Sequence, residues 1–104
     1  MTLKELQKEI LENKKRQGFN TTDMNEEFCH LNAEVGEAYD AWFRDLETFP
    51  EELADVAIFL LGIAEINGID LQTEIEKKVE INKNRKCEVN KLGHHVHQSN
   101  RNKH

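Results

Sequence analysis

The chain has little proline, few cysteines and no long apolar run. Its 104 residues include one proline and five glycines, which favours helices joined by short turns over a β-sheet. Cys29 and Cys87 form no CxxC pair, and the N-terminus has no signal-peptide pattern, so we expect a reduced, cytoplasmic protein. The longest apolar run, Val56 to Ala64, has nine residues against the roughly 20 that span a bilayer. No membrane segment is predicted.

Basic residues are scarce in the middle of the chain. Residues 26–55 carry ten acids and one base, Arg44, whereas residues 77–104 carry eight bases and two acids. The formal net charge of -6 argues against a general nucleic-acid binder, which needs a basic surface to displace counterions from phosphate. Lys14, near the end of the first predicted helix, is expected to be solvated.

Capping-box spacing predicts where three of four helices begin. In each box a Thr or Asp N-cap precedes a Glu by three residues; the pairs are Thr2 with Glu5, Asp23 with Glu26, and Thr48 with Glu51. The first helix is expected to end at Gly18 and the third at Asn67–Gly68, where glycine adopts the left-handed conformation that ends a helix. A fourth helix is expected from Asp70 to about Val89.

The second and third helices differ in their apolar patterns. On the second, apolar residues recur at alternating spacings of four and three; they are Met24, Phe28, Leu31, Val35, Ala38 and Trp42. This predicts one stripe facing the core, with Trp42 packed inside. The third helix has almost no polar face, so we expect it to be buried. Residues 1–92 are thus predicted to form one all-α domain, and the polar, His-containing residues 93–104 a disordered tail.

Two pairs of acids with equal spacing lie on consecutive predicted helices. Glu34 and Glu37 are three residues apart on the second helix, as are Glu52 and Asp55 on the third, so each pair shares a helix face. Asp55 opens the apolar run, where an unpaired ionised carboxylate would be costly. Its carboxyl group must therefore be protonated, paired with a base or bound to a metal. Carboxylates suit Mg²⁺, with Mn²⁺ as a substitute, and Mg²⁺ bridges protein carboxylates to phosphates. A magnesium site with a phosphate-bearing substrate is therefore predicted.

The two acid pairs meet only if the second helix ends at a particular point. Antiparallel neighbours joined by a short turn place residues equally far from that turn side by side. The second helix must therefore end near Phe43 or Arg44 and leave residues 45–47 as a loop.

The predicted fourth helix carries a polar strip on its later turns. Lys78, Asn82 and Arg85 continue the face begun by Leu71 and Ile75. Their ammonium, amide and guanidinium groups suit phosphate oxygens or a ribose. Cations near a helix C-terminus are common because they favour the macrodipole, so the strip alone is weak evidence.

Taken together, these motifs resemble those of the MazG-like all-α nucleotide pyrophosphohydrolases over about residues 3–86. The matching residues are Glu34-Val-Gly-Glu37, Glu52-Leu-Ala-Asp55, Gly68-Ile-Asp-Leu71, and Lys78 with Asn82 and Arg85. The resemblance implies a four-helix bundle that oligomerises through its apolar central helix as a homodimer or homotetramer. It also implies Mg²⁺-dependent cleavage of nucleoside triphosphates to the monophosphate and pyrophosphate, a nucleotide-pool house-cleaning activity.

The resemblance further implies roles for individual residues. Those similar to its metal ligands are Glu34, Glu37, Glu52 and Asp55, and those similar to its substrate contacts are Lys78, Asn82 and Arg85. Our hypothesis is that Glu37 activates the attacking water. Two alternatives stay open: a pyrophosphohydrolase specific for phosphoribosyl-ATP, dUTP or dCTP, and a non-enzymatic helical module that dimerises and binds metal structurally.

Overall fold

Four helices make up most of the part of the chain that the structure describes. The computed structural model describes residues 1–85 and the backbone of 88–89 and 95–96. The helices are α1 (Leu3–Gln17), α2 (Met24–Phe43), α3 (Phe49–Ile66) and α4 (Leu71–Asn84), and the strands are β1 (Glu88–Val89) and β2 (His95–Val96). The strands pair antiparallel, with Glu88 opposite Val96. The predicted all-α class is confirmed by the helices, whereas this two-residue pairing was not predicted.

The chain divides into two compact units, residues 1–72 and residues 73–104. The end predicted for α4 is wrong, because the helix stops at Asn84 and Val89 belongs to a strand. The predicted domain of residues 1–92 and the predicted tail of residues 93–104 stay predictions. Apart from the backbone of β2, that tail lies outside the described residues. Within the described part of the chain, no helix has the length and apolar character needed to cross a membrane.

Three helices end in the same hydrogen-bonded turn. An N–H just beyond the helix donates to a carbonyl five residues earlier; the pairs are Phe19 to Lys14, Leu46 to Ala41, and Ile69 to Ala64, at 2.8–2.9 Å. Gly18 and Gly68 occupy the left-handed position of two turns, and Asp45, with φ 56°, occupies it in the third. The predicted ends of α1, α2 and α3 are therefore confirmed, and the turn after α2 contains a non-glycine residue in a conformation that favours glycine.

The helix starts follow the predicted caps with one exception. The Thr2 and Glu5 box is complete, since each backbone N–H donates to the other's side chain, at 2.7 and 3.1 Å. The box at Asp23 is half formed: Asp23 accepts from the N–H of Glu26 at 3.3 Å, but its own N–H donates to Asn20 Oδ1 at 3.1 Å and not to Glu26. The box predicted at Thr48 is wrong, because Thr48 has helical dihedral angles (φ -78°, ψ -4°) and makes no side-chain capping bond. An N-cap hydroxyl reaches the first turn only from an extended backbone.

A fully buried Gln7 ties α1 to the end of α3. Its side-chain nitrogen donates to Glu65 Oε1 at 3.0 Å and to the Ile69 carbonyl at 2.8 Å. Its side-chain oxygen accepts the N–H of Leu71 at 2.9 Å. Helix α3 packs against both α1 and α2, and Asn67 at its end donates to Met24 Sδ at the start of α2, at 3.3 Å. Helices α2 and α3 therefore run antiparallel.

The predicted burial of α3 is wrong for its first half. Leu53, Ile58 and Leu60 are 44–50% exposed, and complete burial begins at Leu61. Within residues 1–72 only α1 and α2 pack on α3, so part of its circumference is uncovered. An apolar helix with an uncovered side has the composition of an interface.

The single apolar stripe predicted on α2 is also wrong. Ala38 is buried and Leu31 half-buried, but Phe28, Val35 and Trp42 are exposed, Trp42 by 60%. Positions 31 and 38 lie on average about 50° around the helix from positions 28, 35 and 42, and only the side that carries positions 31 and 38 is covered. Trp42 is therefore on the surface of the chain and not in its core.

Lys14 is buried, which corrects the expectation that it is solvated. Its Nζ lies 2.8 Å from Glu27 Oε1 and 5.3 Å from the centroid of the Phe59 ring. Asn20 donates to the second oxygen of Glu27 at 2.9 Å. Burial raises the pKa of Glu27, but the hydrogen bonds from Lys14 and Asn20 outweigh it and hold that pKa below its usual value. The ion pair joins α1 to α2, and the contact of Lys14 with the Phe59 ring joins both to α3.

Candidate metal site between α2 and α3

Three of the four predicted carboxylates converge between α2 and α3. One oxygen each from Glu34, Glu37 and Glu52 lie within 4.8 Å of one another. Helix α2 ends at Phe43 and α3 begins at Phe49, so the connection between them is short enough to bring the two acid pairs face to face. The end of α2 that the sequence argument requires is thus observed, and three of the four predicted carboxylates meet as it predicts. We call these three residues the carboxylate cluster.

The carboxylates of the cluster repel one another. Burial, then the charges of Glu37, Asp55 and Glu52, raise the pKa of Glu34 above its usual value. Burial, then the charges of Glu37, Asp55 and Glu51, raise the pKa of Glu52. Both side chains are half-buried, whereas Glu37 is exposed. A cation among these oxygens would offset the repulsion that holds the two pKa values up.

The base nearest to the cluster along the sequence is engaged elsewhere. Arg44 Nη1 lies 3.0 Å from Asp40 Oδ2, one helical turn earlier on α2. Arg44 was the only base among ten acids in residues 26–55. Within the described part of the chain, no Lys, Arg or His side chain forms an ion pair with Glu34, Glu37 or Glu52.

Asp55 differs from what its sequence context predicted. The side chain is exposed, because the side of α3 that carries it is not covered by α1 or α2. The argument that burial forces Asp55 onto a cation is therefore wrong. Asp55 does not belong to the three-carboxylate cluster, although its charge raises the pKa of both Glu34 and Glu52. Its role as a metal ligand stays a prediction.

A groove opens directly beside the cluster. It has a volume of about 450 Å³, and Glu37, Asp40, Thr48 and Glu52 line it together with small residues of α2. Sequence reasoning missed Asp40 and Thr48 as lining residues. The spacing of Asp40 from Glu37, again three residues, was a usable signal. The sequence predicts a capping bond for Thr48, but the structure lacks that bond and places the residue in the wall of this groove.

A second, more apolar groove lies farther along α3. It has a volume of about 470 Å³, and its walls include Phe19, Ile58 and Phe59, with Asn13 and Arg16 on the α1 side. Ile58 is three residues beyond Asp55, a rise of about 4.5 Å along the helix. The groove therefore begins one helical turn from the acidic end of α3.

The predicted substrate contacts lie in the second unit of the chain. Lys78 and Asn82 are exposed on α4, and Arg85 follows the helix, its N–H donating to the Ile81 carbonyl at 2.8 Å. That unit is described by itself. The assignment of Lys78, Asn82 and Arg85 to substrate binding stays a prediction from the sequence.

Comparison with known proteins does not assign the chain to a family. A search of protein-family models, of curated proteins and of solved structures finds no match to this chain. Its function has therefore to be argued from the carboxylate cluster, the two grooves beside it and the motifs of the sequence.

Proposed function

We propose that this protein is a Mg²⁺-dependent nucleoside triphosphate pyrophosphohydrolase of the MazG-like kind, which acts as a cytoplasmic homo-oligomer in nucleotide-pool house-cleaning. The observation that carries the proposal is the convergence of oxygens from Glu34, Glu37 and Glu52 within 4.8 Å. These are three of the four residues that the sequence resemblance assigns to metal binding; the fourth is Asp55.

The donor set fits magnesium. It consists of carboxylate oxygens alone, and no His or Cys of the described residues joins the group. Mg²⁺ prefers oxygen ligands, keeps several waters and is usually held by few protein carboxylates together with substrate phosphates. Three carboxylates beside an open groove match that pattern better than they match zinc, which favours nitrogen and sulfur. A bound Mg²⁺ would polarise the triphosphate and lower the charge repulsion against an attacking water.

The chain's own residues divide the remaining work. Glu34 and Glu52 are half-buried and are held by two packed helices, so they supply the fixed part of the site. Glu37 is exposed and lines the groove of about 450 Å³. We propose that the Glu37 carboxylate accepts a proton from a water molecule. The water oxygen bonds to the α-phosphorus, the bond from that phosphorus to the α–β bridging oxygen breaks, and pyrophosphate leaves.

The apolar groove between α1 and α3 gives a nucleoside a place to lie. With its phosphates at the cluster, a nucleotide that extends along α3 from Glu52 reaches Ile58 and Phe59 after nearly two turns, a rise of about 9 Å. A groove of about 470 Å³ with aromatic walls has the size and character of a small-molecule site. Lys78, Asn82 and Arg85 enter the proposal as contacts to the triphosphate, on the strength of the sequence pattern.

The test is pyrophosphate release from a panel of nucleotides that includes dUTP, dCTP and phosphoribosyl-ATP, with Mg²⁺ or with EDTA. Wild-type protein is compared with Glu37→Gln and with Glu12→Gln, which alters an exposed acid of α1. We expect Mg²⁺-dependent release by wild type and by Glu12→Gln, and at least a hundredfold slower release by Glu37→Gln. If no nucleotide releases pyrophosphate in the presence of Mg²⁺, the non-enzymatic helical module is the better account.

A further inference from the structure

Three exposed polar residues of α1 line the apolar groove between α1 and α3. They are Glu9, Asn13 and Arg16, and their spacing of four and three places them on one face of the helix. Ile10 and Ile58 line the same groove from the two helices. The groove therefore has an apolar interior and a row of polar side chains along one side. We call these three polar residues the α1 row.

The α1 row has hydrogen-bond donors at one end and an acceptor at the other. Arg16 Nη2 donates to Asn13 Oδ1 at 3.3 Å, so the other guanidinium N–H groups and the Asn13 amide N–H groups are left to donate to a ligand. Glu9 supplies carboxylate oxygens, which only accept when the group is ionised. Arg16 follows Glu9 by seven residues, a rise of about 10.5 Å. The row is therefore long enough to contact two separate edges of one ligand.

Helices α1 and α3 run antiparallel, and this orients the α1 row relative to the carboxylate cluster. Gln7 is hydrogen-bonded to Glu65 near the end of α3, whereas Lys14 lies against Phe59 in the middle of α3. The donor end of the row is therefore nearer to the start of α3, where the cluster lies, and the acceptor end is farther away. A nucleotide with its phosphates at the cluster meets the donors first and the acceptor last.

The aromatic walls of the groove can hold a base but do not choose among bases. The ring of Phe59 already contacts Lys14 and His30, at 5.3 and 5.4 Å, whereas the side chain of Phe19 is 57% exposed. Phe19 is therefore the freer surface for stacking. Stacking on an aromatic ring tolerates any base, because every base has a π-face. Selection among bases has to come from the hydrogen bonds of the α1 row.

We infer that the α1 row selects guanine, so that guanine nucleoside triphosphates are the substrates of the hydrolysis. The inference rests on the proposed function, because that function places the phosphates at the carboxylate cluster. Guanine carries two acceptors, O6 and N7, on the edge nearer to the sugar, and an Arg that donates to both is the commonest specific contact with a base. Its N1–H and 2-amino donors lie on the edge farther from the sugar. Arg16 therefore meets the acceptors of guanine, and Glu9 meets its donors.

The other bases do not match the α1 row. Adenine has an amino donor in place of O6 and an unprotonated N1, so it presents a donor to Arg16 and an acceptor to Glu9. Cytosine and uracil have a single ring, which offers no second edge to the far end of the row. A site that hydrogen-bonds its ligand rejects analogues that leave its polar groups unpaired. The row should therefore favour guanine over all three.

Binding of triphosphates that resist cleavage tests the inference separately from hydrolysis. The α,β-methylene analogues of GTP, ATP, UTP and CTP are titrated into the protein with Mg²⁺ and followed by calorimetry. We expect wild type to bind the guanine analogue at least tenfold more tightly than each of the others. Arg16→Met should abolish this preference, whereas Lys15→Met, which alters an exposed cation of α1 outside the groove, should retain it. Equal binding of the four analogues by wild type, or an equal loss in Lys15→Met, overturns the inference.

Modified guanines test the contacts atom by atom. Replacing N7 by carbon should weaken binding to wild type at least threefold but leave binding to Arg16→Met unchanged, because the lost acceptor is the partner of Arg16. Removing the 2-amino group should weaken binding to wild type but not to Glu9→Ala, with Glu12→Ala as the control on the same helix. Equal losses in wild type and in the matching variant would contradict direct contact.

Hydrolysis of the four natural nucleoside triphosphates separates the inference from the proposed function. We expect kcat/KM for GTP to be at least tenfold above that for each of the others. Release of pyrophosphate with equal kcat/KM from all four would overturn the selection of guanine and support the proposed function. Guanine-selective binding without pyrophosphate release from any nucleotide would overturn the proposed function and support the α1 row as a guanine site.

Discussion

Lys14 Nζ and Glu27 Oε1 lie 2.8 Å apart, with side chains that are 11% and 1% exposed. The pair joins α1 to α2 at the point where the Lys14 ammonium also lies over the ring of Phe59 on α3. Two charges this deep are stabilising only while both are present, because each one alone is left without water or a counter-charge. The buried pair therefore holds α1 and α2 together, and each helix depends on the charge that the other supplies.

Removing one partner of the pair should destabilise the protein strongly. We expect Lys14→Met to lower the free energy of unfolding by about 3–5 kcal/mol, because it leaves a buried carboxylate uncompensated. The double variant Lys14→Met with Glu27→Leu should recover most of that loss. Urea denaturation of the four members of this double-mutant cycle measures the coupling. Equal stabilities of the single and the double variant would contradict the role given to the pair.

The carboxylate cluster should make the metal-free protein more stable as the pH falls from neutrality. The pKa values of Glu34 and Glu52 are raised in the folded protein above the usual 4.5, so the folded state binds more protons between 4.5 and those raised values. Stability therefore falls as the pH rises through this window and is gained as the pH is lowered. Thermal unfolding in EDTA at a series of pH values measures the effect.

Glu27 should reverse this trend at lower pH. Its folded pKa lies below the usual value, so its contribution is present above the unfolded value and is lost as the pH falls through the folded one. A stability maximum on the acidic side of neutrality is expected in EDTA. A melting temperature that only declines from pH 7 downwards would contradict the repulsion within the cluster.

Glu34→Gln should separate stability from metal binding. The variant removes one of the mutually repelling charges, so at pH 7 without metal its melting temperature should exceed that of wild type. Added Mg²⁺ should raise the melting temperature of wild type, since a ligand that binds only the folded state stabilises it, but not that of Glu34→Gln. Glu12→Gln serves as the control. Equal Mg²⁺ shifts in all three proteins would remove Glu34 from the metal site.

Asp45 should be replaceable by glycine with a gain in stability. Its φ of 56° is left-handed, and this costs most residues about 1–2 kcal/mol, less for Asp. Asp45→Gly should therefore raise the free energy of unfolding by up to about 1 kcal/mol, or several degrees in melting temperature. Gly68→Ala, at φ 70°, should lower it by a similar amount. A loss of stability in Asp45→Gly would indicate that its carboxylate has a role beyond the turn.

Features set by neighbouring residues were predictable from the sequence. The ends of α1 and α3 follow from local turn chemistry, whereas the end of α2 at Phe43 follows from the requirement that the two acid pairs meet. The convergence of Glu34 and Glu37 with Glu52 followed from that boundary, because short connections between antiparallel helices leave few other arrangements.

Features set by which helix covers which side were not predictable. Two faces of a helix that are offset by one residue have the same spacing of four and three, so the spacing alone does not show which face is covered. It therefore predicts Trp42 in the core, although Trp42 is exposed. Apolar composition predicts that α3 is buried, but it does not specify that within residues 1–72 only α1 and α2 pack on it, and Asp55 is therefore exposed. Lys14 follows Ile10 by four residues on the inward side of α1. This spacing indicates burial, whereas the charge of Lys14 favours the expectation that it is solvated.

Hydrolysis in ¹⁸O-labelled water tests the central claim most directly. Wild-type protein, Mg²⁺ and a nucleoside triphosphate are incubated in labelled water, and the masses of the products are measured by mass spectrometry. Attack at the α-phosphorus, with Glu37 taking the proton of the water, predicts one ¹⁸O in the nucleoside monophosphate and none in the pyrophosphate. Label in the pyrophosphate, or no Mg²⁺-dependent product from any nucleotide, would contradict the function assigned to the carboxylate cluster.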